Sequence, residues 1–281
     1  MSILSKFEPT PNRMEILYRT LLSVGDQGIP ERSLRVLLSP SRLGESVIVE
    51  NVIGEGLAMG IAEKMPGDIL RIGKGLYSTG TDFREWCEVC LLDPIIAKKR
   101  GQEFFPLALA WFLERNPYDP MRLDTNVKSL ISDELGISAE DVDLTNKDRF
   151  RMFAYWAKYL GYARTLQLAG PGGSLVFPDP TRALARLIPR LLKSGERVTL
   201  GELKSRWAES APVLEGGRVR QDVLKRLRTR RHPLDLSQST SFALRNLEDR
   251  GLVRLERLAD ANAFNLTDPE GAEPKSHLTW I

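Results

Sequence analysis

The chain has 281 residues, enough for two or three domains, and its composition, 42% hydrophobic and 27% charged, is that of a globular protein rather than a disordered or low-complexity one. No apolar stretch approaches the roughly 20 residues needed to cross a bilayer. The N-terminus Met1-Ser-Ile-Leu-Ser-Lys lacks a signal-peptide core, and Cys87 and Cys90 are too few for a disulfide scaffold, so a cytoplasmic protein is expected.

From the N-terminus, Met14, Ile16, Leu17, Leu21 and Leu22 mark an amphipathic first helix. A turn at Gly25-Asp-Gln-Gly28 leads to a short helix from about Pro30 with Leu34, Leu37 and Leu38 inward. A longer helix follows over about Glu45 to Met59, with Val47, Ile48, Val52, Ile53 and Leu57 apolar, and then two short strands around Pro66-Gly-Asp68. This order predicts a winged helix over residues 1–78. Its third helix carries Glu45, Glu50 and Glu55 and no Lys or Arg, which would set carboxylates against phosphates. A protein-contact or dimerisation module is therefore expected here; groove reading and a purely structural role are the alternatives.

Residues 79–168 read as an all-helical central domain. Asp82 to Leu92, Phe104 to Arg115, Thr125 to Leu135 and Lys147 to Tyr162 show apolar residues at helical spacing, broken by Pro94, Pro117, Pro120 and Gly136. Phe150, Phe153, Trp156, Tyr159 and Tyr162 follow a three-residue spacing that fits core packing. The Gly- and Pro-rich stretch 169–179 reads as a linker.

A second unit, 180–268, carries crisper signals, and 269–281 is left as a tail. Asp179-Pro180 opens one helix, Thr199-Leu-Gly-Glu202 is a capping box that opens another, and Gly251 fits the left-handed residue that stops a last helix. Two alternating strands over Val253–Leu258 and Ala263–Leu266 then form a wing. The unit also holds the charge. Residues 181–257 contain 18 Lys and Arg against 9 Asp and Glu, a net +9 in a chain whose total is +3. The densest run is Arg218, Arg220, Lys225, Arg226, Arg228, Arg230 and Arg231. Such a run can neutralise phosphates and release counterions; a solvated helix face is the alternative reading.

The segment Ala243-Leu-Arg-Asn-Leu-Glu-Asp-Arg-Gly-Leu-Val-Arg-Leu255 resembles the recognition-helix-to-wing segment of MarR-like and ArsR-like winged-helix proteins. That resemblance implies that Gln238, Ser239, Thr240, Ser241 and Arg245 face a DNA groove and that Arg254 and Arg257 are wing contacts. The chain departs from those short regulators in having a helical middle and a second unit. Its whole layout, an α+β and mostly α protein with two winged helix-turn-helix units flanking a helical domain, is similar to DpdG-like accessory proteins of bacterial phage-defence and DNA-modification islands.

Catalytic signatures are sparse. His232 and His277 lack metal-ligand spacing, Cys87-Glu-Val-Cys90 is a single CxxC on a helix, and Gly67 to Gly75 departs from a phosphate loop in length and in lacking Ser or Thr after Lys74. No enzyme activity, cofactor or metal is expected. The function expected is a non-catalytic DNA-binding accessory subunit that positions or regulates a defence or DNA-modification system. It would grip double-stranded DNA largely by its backbone and hold a partner subunit or a second copy through the N-terminal and central regions. A protein-protein scaffold and a ligand-responsive transcriptional regulator are the alternatives.

Overall fold

The computed structural model describes residues 2–5, 8–39, 47–74, 82–168, 173–259 and 261–281. Glu45, Gly75 and residues 169–172 of the expected linker lie outside the described residues. The protein is α+β and mostly α, with small antiparallel sheets. Backbone contacts divide it into two compact units, Met1–Phe105 and Pro106–Ile281.

The first unit runs α1 (Pro11–Val24), β1 (Ile29–Pro30), α2 (Glu31–Leu38), α3 (Val47–Ala58), β2 (Ala62–Met65), β3 (Ile69–Ile72), α4 (Phe83–Leu92) and α5 (Pro94–Lys99). Its sheet has the order β1-β3-β2, so the strand between the first two helices pairs with the last strand. Met14, Leu17 and Leu21 of α1 are fully buried together with Leu34, Met59, Ile61 and Leu70, as their spacing on one face of each element requires. Leu37 is a correction: it lies 64% exposed beside Val36, because the eight-residue α2 turns only Leu34 inward. Glu55 is another. Its side chain is buried and accepts a hydrogen bond from Gln102 Nε2 at 2.5 Å, so it cannot stand at a groove.

Helix α6 (Phe104–Glu114) is apolar on every side until Glu114, and Phe105 and Ala108 to Leu113 are all fully buried. The second unit continues with β4 (Met121–Arg122), α7 (Lys128–Leu135), α8 (Lys147–Leu160), β5 (Ala163–Gln167) and β6 (Ser174–Pro178). Phe150, Phe153 and Trp156 are buried within it, and Phe153 packs edge-on against Phe112 at 5.4 Å, so these aromatics are core. The middle of the chain is not all-helical. Strands β4, β6 and β5 form a sheet in that order, and the Gly-rich stretch joins two strands paired from Ala163↔Pro178 to Gln167↔Ser174. Gly and Pro mark turns and linkers alike, which is why a hairpin read as a linker.

The remainder is α9 (Thr181–Leu191), β7 (Arg197–Thr199), α10 (Leu200–Ser210), α11 (Arg218–Arg226), α12 (Gln238–Asp249), β8 (Val253–Glu256), β9 (Phe264–Asp268), β10 (Gly271–Lys275) and β11 (His277–Trp280). The capping box at Thr199 and Glu202 is formed, and Gly251 takes φ 67° just after α12. Asp179 caps α9 from one residue further back than expected, accepting the Thr181 N–H at 3.0 Å. The residues expected as a tail form β10 and β11, and β11 is the central strand of a sheet ordered β7-β11-β8. The two units thus repeat one strand order.

Candidate nucleic-acid interface

The basic run begins with Gly217, the N-cap of α11. A Cβ at Gly217 would lie 2.4 Å from the Pro212 carbonyl oxygen, so only glycine lets the 212–217 loop close on the helix start. Three residues on, Arg220 is fully buried. Its Nε meets Glu114 Oε1 at 2.5 Å, and its Nη2 donates to the Leu113 carbonyl and to Ser237 Oγ, both at 2.9 Å. Glu215, 1% exposed, completes the cluster with Arg231, whose Nη2 reaches Glu215 Oε2 at 2.5 Å and Glu114 Oε1 at 3.4 Å.

Charge compensation is what makes this burial tolerable. Burial pushes the Glu215 carboxyl up, but the charges of Arg231 and Arg220 and hydrogen bonds from Ser237 outweigh it and hold the group down at about 2. Burial likewise works against the Arg231 charge, and the Glu215 and Glu114 carboxylates reverse that, so its pKa is raised.

Several predicted DNA contacts are therefore corrected. Arg220 is enclosed, and Arg231 is committed to Glu215, Glu114 and the Asp235 carbonyl. On α12, Ser239, Thr240 and Ser241 are buried at 0%, 2% and 0% exposure. Ser239 donates to the Leu113 carbonyl, Thr240 Oγ1 bonds Glu215, and Ser241 Oγ accepts the Thr267 N–H at 2.9 Å. These short hydroxyls satisfy buried groups of neighbouring elements instead of facing a groove. Arg245 is held by Asp268 on β9 and lies 3.6 Å from Glu273 on β10.

What stays accessible is a subset. Arg218, Lys225, Arg226, Arg228, Arg230, Arg254 and Arg257 are exposed and Gln238 is half-buried. Lys225 pairs with Asp222 at 3.0 Å, and Arg257 donates to the Ala261 carbonyl at 2.8 Å. Arg226, Arg228, Arg230 and Arg254 have no carboxylate within ion-pair distance among the described residues. Arg228 and Arg230 also line a cleft of about 550 Å³, whose wall includes Asn116, Leu224, Leu227 and Gln238.

The residues that sequence reasoning missed are the acidic partners. Glu114 had a signal, being the lone carboxylate at the end of an otherwise apolar helix, a place where a charge needs a buried partner. Glu215 had none.

In the first unit, Cys87 and Cys90 are both buried free thiols. Burial pushes Cys90 up to about 12 and Cys87 well above its ordinary value. Since the thiolate is the reactive form, native protein should take up no dithionitrobenzoate over minutes, and two thiols should react once it is denatured. Rapid labelling of native protein would contradict the placement of α4.

Comparison with curated proteins and with solved structures found no match. A protein-family comparison matched residues 1–261 to the DpdG-like family, which is associated with DNA modification and defence. With a match running over nearly all of its 281 residues, the chain belongs to the DpdG-like family.

Proposed function

We propose that the second unit grips double-stranded DNA by its phosphates, and that the chain is a non-catalytic accessory subunit placing or regulating a DNA-modification or defence machine. The observation that carries this reading is the division of the arginine run. Arg220 and Arg231 are spent on a buried ion cluster, while Arg226, Arg228 and Arg230 project from the same short segment, exposed and uncompensated. Guanidinium groups held on a braced backbone lose less freedom on meeting phosphate than groups on a loose one. The strand order β7-β11-β8, with β7 between α9 and α10 and the other two strands after α12, supports a winged-helix reading of this unit, and β1-β3-β2 supports the same for the first. Because α12 buries its serines, binding is expected to be tolerant of sequence.

The test is a salt titration of duplex affinity. Log Kd should rise steeply with log salt, and Arg226→Ala, Arg228→Ala and Arg230→Ala together should flatten the slope by about 0.9 per lost phosphate contact, roughly 2.7 in all. An unchanged slope in the triple variant would sink the assignment of these residues.

A second reading, a scaffold for protein contacts, draws on the first unit. Val36, Leu37 and Val47 are 71%, 64% and 67% exposed, and the described part of α3 bears no cation. No salt-sensitive duplex binding at all would leave only that reading. Under the proposal both hold, with the first unit engaging a partner subunit or a second copy.

A further inference from the structure

The cleft beside the arginine segment has features that backbone gripping does not use. Its volume of about 550 Å³ falls within the range typical of small-molecule sites, about 300–1,000 Å³. Leu224 and Leu227 supply apolar lining. Two side-chain amides stand on the lining, Asn116 and Gln238. Asn116 Oδ1 accepts the Tyr118 N–H at 2.9 Å, which leaves its Nδ2–H donors without a partner among the described residues. Gln238 has no side-chain hydrogen bond there either. The lining also carries the exposed, uncompensated guanidiniums of Arg228 and Arg230 and one exposed carboxylate, Asp133, that has no ion pair among the described residues. The other acidic groups of the lining are occupied: Glu114 by Arg220, Glu134 by Arg115 and Trp111, Asp235 by Asn265.

Apolar lining, side-chain amides able to read hydrogen-bonding edges, and two uncompensated guanidiniums together suit a phosphorylated nucleotide. The leucines would cover the base face, the amides would bind the base edge, and the guanidiniums would take the phosphate. We propose that this cleft is a binding site for a nucleoside monophosphate, either free in solution or as a terminal or unpaired unit of a DNA strand. The proposal rests on the arginine segment being a phosphate-binding element, as in the function proposed above.

The experiment titrates the full chain, by calorimetry, with the four 5′-deoxynucleoside monophosphates, the matching unphosphorylated deoxynucleosides and inorganic phosphate. At least one nucleotide should bind saturably and at least about tenfold more tightly than its nucleoside or than phosphate, since a charge-assisted bond and the base contacts each contribute that much. Asn116→Ala should weaken nucleotide binding about tenfold while leaving duplex affinity and its salt slope unchanged, and Gln238→Ala should weaken nucleotide binding by a similar factor. Leu227→Trp, which fills the cleft, provides a second block. Absence of saturable binding by any nucleotide overturns the proposal even if duplex binding is intact, and so does inorganic phosphate binding as tightly as nucleotide. Nucleotide binding without duplex binding would instead overturn only the function proposed above. A 5′-phosphorylated single-stranded oligonucleotide that competes with the nucleotide identifies the strand as the source; one that binds alongside it identifies a free nucleotide.

Discussion

Arg220→Ala should destabilise the second unit by about 3–5 kcal/mol, read as a lower denaturant midpoint in chemical unfolding. The side chain is fully enclosed and joins five groups: the carboxylates of Glu114 and Glu215, the Leu113 and Val213 carbonyls and Ser237. Removing it leaves Glu114 and Glu215 facing one another with only the half-exposed Arg231 between them. The penalty is that of uncompensated buried charge more than of a lost contact. Two controls separate the terms. In a background where Glu114→Gln and Glu215→Gln have already removed the negative charge, the same Arg220→Ala change should cost clearly less. The cost should also depend on pH. Glu215, ordinarily near 4.5, is held at about 2, so its contribution is complete above pH 4.5 and is lost as the pH falls toward 2. Without Arg220 the group loses one of the two charges that hold it down, so the gap between wild type and variant should narrow as the solution is acidified through that window. A gap independent of both pH and the glutamine background would mean the cluster is not what holds the segment.

Trp111→Ala should cost about 3–5 kcal/mol in the same unfolding measurement. The indole is fully buried in the middle of α6, and its Nε1–H donates to Glu134 Oε2 at 2.8 Å. Glu134 also pairs with Arg115 and, through its carbonyl, accepts the Arg228 N–H at 3.0 Å. The truncation therefore opens a cavity beneath the residue that anchors the arginine segment to α7. Trp111→Phe, which keeps most of the apolar volume and removes only the hydrogen bond, should cost about 1 kcal/mol. Equal losses in the two variants would show that the cavity contributes little.

Local chemistry in the sequence located the elements well where a few adjacent residues decide the outcome. The capping box of α10, Gly251 after α12, and the inward face of α8 all belong to this kind. Pairing between distant segments was not legible. Met121 opposite Val176 and His277 opposite both Thr199 and Glu256 are set by how helices pack, and strands as short as Met121–Arg122 carry no period to detect. The site divides the same way. The charge count marked the right segment, but charge alone cannot distinguish Arg220 from Arg226. That depends on which turn of α11 faces Glu114, a residue more than a hundred positions away. The Ser-Thr-Ser run of α12 misled for the same reason: small polar side chains suit a groove and a crowded interior equally well.

Strand β11, central to its sheet, also constrains how the second unit is made. Arg197 of β7 pairs with Thr279. On a ribosome adding about 5–20 residues per second, β7 waits on the order of ten seconds for its partner, whereas β8 is made only shortly before it. During that interval β7 presents an open edge in a unit that also carries a strongly cationic segment. An unpaired edge of that kind is the part of the unit most open to misassociation until its C-terminal strand is made.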